Sequence, residues 1–512
     1  MPRYFKRHFN KPLIYGMDHS LRNLLFFLLS FCFSLNVNAQ NTPDNDSNSI
    51  VEHALPFAVH SSKRLSDRSI QEKKEGFFMT GYPRFEYDPI RGISAGGRLN
   101  FIQNKDREDP FFNYTAYRYF LAVGGYVFQN TRSGFYMNFD APYILDTKWR
   151  LRVNAFFRNN PDEKYFGTGR QTVEKLQFAD KSAGNYGNTR TFEKLDDYQD
   201  NLKKAVWDSD RNTFVTDAFY NSFEHTEIFF DFLLERTYYE GRLRLIGGYE
   251  ALFTAFRDYT GKEVSAYLED GSTVNAIQRQ TLINKDQNGS YWENQNLTGF
   301  DESFNFSGIF AAAIVWDTRD FEADPGKGVL LEISNEFSPS ILGSDFQFNK
   351  SSVHTHWYQT LWNKENTYQR LVFAANFSGS YVSGSEINFI ELFDIARQTK
   401  RNDILQALGG GYSMRGYRES RFTAPTLLFF NLELRSHLFD FNVLNQNIGV
   451  GLSPFYDVGG VWDSPSAVNF KKWRGAPGIG GRFSWNQSTI LRVDYARSRE
   501  SSQFFVGADY IF

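Results

Sequence analysis

Arg415 lies inside the run Gly409-Gly410-Gly411-Tyr412-Ser413-Met414-Arg415-Gly416-Tyr417. Glycines on both sides let the backbone turn tightly and approach its surroundings closely, so the segment can carry the guanidinium into a confined space. A charge delivered there needs acidic partners, because an unpaired buried charge costs several kcal/mol. Two carboxylates, Glu433 and Asp457, follow on the next two strand-like segments. A guanidinium offers a planar fork of donors to such a pair, so the chemistry expected is a non-covalent lock that pins Arg415, Gly416 and Tyr417 to a wall bearing Glu433 and Asp457.

Other groupings are weaker. His354 and His356 stand two apart and share one face of a strand, a spacing compatible with metal binding, but no third ligand accompanies them and ordinary strand histidines are expected. Asp286 to Ser290 has the residue order of a calcium loop, which an Asn-Gly turn explains equally well. No Gly-x-Ser-x-Gly elbow occurs, and no Ser, His and Asp grouping follows from spacing, so neither an enzyme nor a cofactor is expected.

The elements that must position the lock alternate with period 2. Leu428, Phe430, Leu432 and Leu434 interleave with Asn431, Glu433 and Arg435, and Leu491, Val493 and Tyr495 interleave with Arg492, Asp494 and Ala496. Ile448, Val450, Leu452, Tyr456 and Val458 oppose Gly449, Gly451, Ser453, Phe455, Asp457 and Gly459 in the same way. Aromatics make up 18% of the residues and no apolar run beyond the first forty residues is long enough for a transmembrane helix. This pattern predicts an all-β fold, a transmembrane antiparallel β-barrel of about sixteen strands whose apolar surface hides in every second residue. Long connections over 159–221, 256–303 and 381–423 alternate with short ones such as Lys364 to Asn366, and the segment from Gln103 to Thr115 is long for a short-side turn. The connection 381–423, which holds Arg415 and is the sixth outer loop, is expected to fold into the lumen.

Pro83 should interrupt the first strand, which pairs with the last one near Gly507 at the closing seam. Proline cannot donate to a ladder, so either a weak seam or a bulge at the rim is expected there. At the other end Phe504, Val506, Ala508, Tyr510 and Phe512 alternate strictly, and Tyr510 and Phe512 read as an outward-facing aromatic assembly signal.

Lys6, Arg7, Lys11 and Arg22 precede an apolar run from Leu24 to Leu35, with Val37-Asn38-Ala39 before Gln40, so residues 1–39 read as a secretory signal. Cys32, the single cysteine, falls inside that run. Residues 40–76 read as a short polar periplasmic tail, partly ordered against the barrel, and residues 77–512 as the outer-membrane barrel itself. The formal net charge of −3 argues against a nucleic-acid partner.

The quoted segments resemble the BamA-like superfamily of outer-membrane barrels, the bacterial surface antigen family. Met414-Arg415-Gly416-Tyr417 matches that family's V-R-G-F/Y motif of the sixth outer loop, with methionine for valine, and Glu433 and Asp457 match its acidic partners on the twelfth and thirteenth strands. Asp317-Thr318-Arg319-Asp320, Pro325-Gly326-Lys327-Gly328 and Gly478-Ile479-Gly480-Gly481-Arg482-Phe483 resemble its turn after the eighth strand and its glycine-rich fourteenth strand. The family's polypeptide-transport-associated (POTRA) domains have no counterpart in residues 40–76. The resemblance implies a protein of the bacterial outer membrane acting in membrane biogenesis or in translocation or insertion of protein or lipid. It implies outer-membrane lipid and lipopolysaccharide as surroundings, and accessory outer-membrane or periplasmic proteins as partners. The alternatives are a passive channel or structural barrel whose long loops bind at the cell surface, with the lock holding a static plug, and a barrel enzyme.

Overall fold

The computed structural model describes residues 50 and 52–512, apart from 66, 89–91, 130–131, 182–187, 321–323, 365–368, 400–405, 444–445, 486–488 and 509–511. The chain divides into two units, Met1–Val51 and Glu52–Phe512, and the described strands all belong to the second. The expected signal over residues 1–39, with Cys32, and positions 40–49 of the expected tail lie outside the described residues.

Alternating side chains point to opposite faces of an extended chain, and that period builds sixteen long strands. They are β1 Phe77–Asp88, β2 Gly92–Gln103, β3 Tyr119–Phe128, β4 Ser133–Ala141, β5 Trp149–Lys164, β6 Ser222–Tyr238, β7 Leu243–Arg257 and β8 Asn305–Asp317. The second half comprises β9 Gly328–Ser338, β10 Gln347–Asn363, β11 Arg370–Asn388, β12 Thr426–His437, β13 Gln446–Trp462, β14 Arg474–Trp485, β15 Thr489–Arg497 and β16 Ser502–Ala508. Each pairs antiparallel with the next in chain order. The outer face carries exposed Leu432, Leu434, Leu452, Tyr456, Leu491 and Tyr495, whereas Asn431, Glu433, Asp457, Arg492 and Asp494 are buried on the inner face. This is the inverse of a water-soluble fold and the expected one for strands that cross a bilayer.

Pro83 does not interrupt β1. The β1–β2 ladder runs in one register from Phe77↔Gln103 to Asp88↔Gly92, with Pro83 opposite Gly97 and no bulge. β1 and β16 approach within 8 Å (Cα–Cα), yet no ladder joins them among the described residues. Proline cannot donate to a ladder, yet the β1–β2 register passes Pro83 unbroken.

Two of the long connections carry structure that the strand pattern does not announce. Residues 159–221 and 256–303 contribute a four-stranded sheet of Ala205–Asp208, Thr213–Thr216, Glu263–Tyr267 and Thr273–Gln278, joined between the loops by the parallel pairing Ile277↔Val215. A short helix, Leu195–Leu202, buries Leu195, Tyr198 and Leu202 at the spacing of one helical face. Asp286 lies in a second helix, Leu282–Gln287, and accepts a 2.8 Å hydrogen bond from the Tyr165 hydroxyl, so Asp286 to Ser290 ends one helix, turns at Asn288 and Gly289 and starts the next, the Asn-Gly turn rather than a calcium-type loop. Tyr165, Trp292, Phe389, Phe393, Tyr417 and Phe422 join one apolar cluster across these loops and the connection after β11.

At the opposite end the chain before β1 is docked. Leu55, Phe57 and Val59 are half-buried while Glu52, Ala54, Pro56 and Ala58 are exposed. The Phe57 ring sits 5.3 Å from Phe111 and 5.6 Å from Tyr143. Leu65 N–H donates to Asn113 (2.8 Å), His60 N–H to Glu240 (2.8 Å), and Lys73 Nζ to the carbonyls of Phe112 and Thr115 (2.7 and 2.8 Å). The length of the Gln103 to Thr115 turn is thereby explained, because it is the seat on which this segment rests.

Candidate functional site

The connection from β11 to β12 enters the lumen and buries Arg415 completely. Arg415 Nε and Nη2 donate to the two carboxylate oxygens of Asp457 (2.8 and 2.9 Å), the fork-to-fork geometry that fixes orientation as well as charge. Nη1 donates to Glu433 (2.7 Å) and to Asp494 of β15 (3.3 Å), and the Arg415 backbone N–H adds a 3.0 Å bond to Asp457. The Phe455 ring lies beneath the guanidinium, 3.3 Å from its carbon. Asn431 bridges the loop to the wall through Asp457 (2.8 Å) and the Ser413 carbonyl (2.6 Å). Three strands, β12, β13 and β15, therefore grip one side chain. Sequence reasoning misses Asp494, although its inward phase beside Arg492 is visible in the alternation.

Local sequence makes room for this. Gly416 has φ +96°, and a Cβ there would stand 2.9 Å from Ala476, so only glycine lets the loop turn against β14. Within β14 a Cβ on Gly478 would meet the Phe455 ring, and one on Gly480 would meet Asp494 and Arg482. The glycine-rich strand thus makes space for the ring beneath Arg415 and for its third carboxylate. Tyr417 is buried against Phe422 (5.2 Å between ring centroids).

A second clasp has no signal in the sequence. Arg397, earlier in the same loop and 1% exposed, pairs with Glu250 of β7 (3.0 Å), Glu336 of β9 and Asp394 (2.9 Å). Lys350 of β10 joins Glu336 (2.9 Å) to Glu391 of the loop (2.6 Å). The Thr399 N–H and hydroxyl both donate to Glu332 (2.6 Å each). His354 faces this clasp, with Nε2 at the Arg397 carbonyl and Nδ1 at Ser378 (3.0 Å each), and His356 Nε2 lies 3.1 Å from Gln398. The two histidines hold a loop, which is what their shared face is used for.

Gly507 sits in β16 opposite Arg492 of β15, and Pro83 keeps its place in the unbroken β1 ladder. Tyr510 lies outside the described residues. Phe504 and Val506 face outward as expected, but Phe512 does not. Its ring packs on the inward cluster of Tyr358, Val372 and Ala374, with the Arg435 guanidinium 4.6 Å from the ring centroid and donating to the Phe512 carbonyl (3.0 Å). A polar grip and an apolar slot inside the barrel override the alternation that would place this ring toward lipid.

No curated protein matches the chain. The sequence profile described as "Domain of unknown function (DUF5982)" matches residues 55–118, the docked segment together with the first hairpin and its long turn. Among solved structures, BamA from Haemophilus ducreyi lacking POTRA domains 1-3 is 13% identical with a TM-score of 0.48, covering 85% of this chain and 70% of that one. CdiB from Acinetobacter baumannii is 10% identical (TM-score 0.40; 85% and 60% covered), and CdiB from Escherichia coli is 10% identical (TM-score 0.46; 84% and 63% covered). The chain thus spans less than two thirds of either CdiB structure. The profile described as the Omp85 superfamily domain runs from residue 119 to residue 503, well over half of the sequence, and so this chain belongs to the Omp85 superfamily of outer-membrane β-barrel proteins.

Proposed function

We propose that this barrel moves protein or lipid into or across the outer membrane by opening sideways between β1 and β16, with accessory outer-membrane or periplasmic proteins delivering the cargo. The work is mechanical, with no covalent step and no cofactor. One observation supports this reading above the others: β1 and β16 stand side by side without a ladder among the described residues, whereas all their other neighbours are zipped in register. Unpaired strand edges are templates for other strands, so such a seam can accept a client edge or open to the bilayer. A passive channel fits less well, because the outer loops and the connection after β11 share one apolar cluster over the barrel's outer end.

The test is a disulfide across the seam from Arg84→Cys to Gly507→Cys, made in cells that depend on this protein. Oxidation should arrest function and a reductant should restore it. Full function in the cross-linked state would exclude lateral opening at this seam.

A further inference from the structure

We infer that the connection between β13 and β14 hooks into the outer leaflet of the membrane, with Phe470 among the lipid acyl chains and Lys471 beside a lipid phosphate. The connections after β5, β7 and β11 turn inward and share the apolar cluster over the lumen. Residues 463–473, which follow β13, lean the other way. Trp462 ends β13 on the phase of exposed Tyr456, and Trp473 precedes β14 on the phase of exposed Ile479. Both therefore belong to the wall that faces lipid, as does Phe430 on the phase of Leu432 and Leu434 in β12.

The rings form one stack from that wall to the tip of the hook. Trp473 lies 5.6 Å from Trp462 and 5.7 Å from Phe430, and Phe470 stacks on Trp473 at 5.4 Å with 16° between the planes. Trp462 is buried in spite of its outward phase, over the space that Gly460 leaves. Phe470, at the far end, is 82% exposed. It is held there by bonds. Trp473 Nε1 donates to the Asn469 carbonyl (3.1 Å), and the Asn469 side chain accepts from the Lys471 N–H (3.2 Å) and donates to the Ala467 carbonyl (3.0 Å), fixing the single helical turn Phe470–Lys472. In water a phenylalanine fixed in this way forgoes the burial that draws such rings inside; among acyl chains it regains it. Continuity with the lipid-facing wall identifies the occupant as lipid. Exposed Lys471, next to the ring, has the long apolar stem and cationic head that suit the boundary between acyl chains and anionic headgroups. The hook fastens to the membrane the same three strands, β12 to β14, whose inner faces hold Glu433, Asp457 and the space for Phe455 beneath Arg415.

The inference does not depend on what the barrel transports or on seam opening. Its test uses the full chain in a Cys32→Ser background, folded into vesicles of phosphatidylcholine and phosphatidylglycerol and restricted to protein that runs as the folded band. Phe470→Cys carries a bimane label, and Trp207→Cys, exposed in the small outer sheet, carries the same label as the reference. A nitroxide on the lipid acyl chains should remove most of the fluorescence at position 470 and little at 207, whereas iodide in the water should do the reverse. Lys471→Glu, which sets a negative charge against the anionic headgroups, should reduce the acyl-chain quenching at 470, by more at low salt than at high salt, and leave 207 unchanged. In cells, the photoreactive analogue benzoylphenylalanine at position 470 keeps an aromatic ring on Trp473 and should cross-link to lipid. Equal quenching at 470 and 207, stronger quenching of 470 by iodide than by the nitroxide lipid, no effect of Lys471→Glu, or a cross-link to protein in place of lipid would overturn the inference.

Discussion

Lys63, in the segment before β1, pairs with Asp317 at the end of β8 across 3.7 Å. Asp317 also takes Arg244 of β7 (3.1 Å) and Arg319 of the following turn (3.0 Å), so the Asp317-Thr318-Arg319-Asp320 motif is a seat for the N-terminal segment. With His60 on Glu240, Phe57 on Tyr143 and Phe111, and Lys73 on Phe112, the segment straps the short turns that follow β2, β4 and β6 to the end of β8. In an outer-membrane barrel short turns face the periplasm.

Deleting residues 52–76 should leave the strand ladders intact, because the strap adds no strand to them. It should also expose the 104–118 turn, making it cleavable by trypsin at Lys105 and Arg107 and lowering the temperature at which the folded gel band disappears. Truncating the seat itself should cost more than removing Lys63. Phe111 is fully buried, and Phe111→Ala is expected to lose about 3–5 kcal/mol, whereas the partly exposed Lys63 pair is worth about 1 kcal/mol or less. A truncated chain that never yields a folded band would show the strap to be required for folding.

Arg415→Ala leaves three buried carboxylates short of a partner, a loss of about 3–5 kcal/mol by analogy with broken buried pairs. The strand ladders should survive this, so folding persists while the connection between β11 and β12 becomes protease-sensitive. Arg415→Lys should recover only part of the protection, since an ammonium cannot reproduce the two parallel bonds to Asp457. Protection by lysine equal to that of arginine would show that charge alone, without the fork, holds the loop.

Much of this arrangement is written locally. The lock is legible because an arginine between glycines demands acids, and Glu433 and Asp457 fall on inward phases one strand apart. Asp494 shares that phase, but its contact with Arg415 depends on how neighbouring strands are staggered, which no single strand records. The Arg397 clasp is less visible still. Two of its acids come from positions 147 and 61 residues away in the chain, and no glycines flank Arg397 as they flank Arg415. The small outer sheet escapes notice because its strands are four to six residues long, too short to display a period against a polar background.

The outer loops should become more stable as pH rises above 8. Lys181, outside the membrane span, is buried in the loop after β5, and burial pushes its ammonium down to about 8 despite the 2.7 Å pair with Asp217. The folded form then releases its proton near pH 8, while the unfolded chain keeps it until about 10.4. Between these values the unfolded state binds more protons, so stability increases with pH, and below pH 8 the cost of burying the charge is fully present. The gain is at most about 3 kcal/mol for a fully buried group. Hydrogen exchange over residues 195–216 should slow between pH 8 and 10 after correction for intrinsic rates, and Lys181→Met should abolish that trend. An unchanged trend in the variant would assign it to another group.

Phe512 links the seam to the lumen. Its ring fills the slot of Tyr358, Val372 and Ala374 under Arg435, and it lies four residues beyond the described end of β16. A strand whose end is held inside the barrel is not free to align along the whole of β1. Phe512→Ala removes the apolar grip and the ring beneath the guanidinium, leaving only the carbonyl bond from Arg435 (3.0 Å). β16 should then settle more often beside β1, so the Arg84→Cys and Gly507→Cys pair should oxidise faster in the Phe512→Ala background than with phenylalanine in place. Arg435→Ala would not serve as a control, because it also strips Glu433 of a partner (2.8 Å); Val372→Trp, which fills the slot and expels the ring while leaving every charge, should act in the same direction as Phe512→Ala. Slower cross-linking in both variants would mean that the lumenal grip on Phe512 brings β16 toward β1 instead of holding it away.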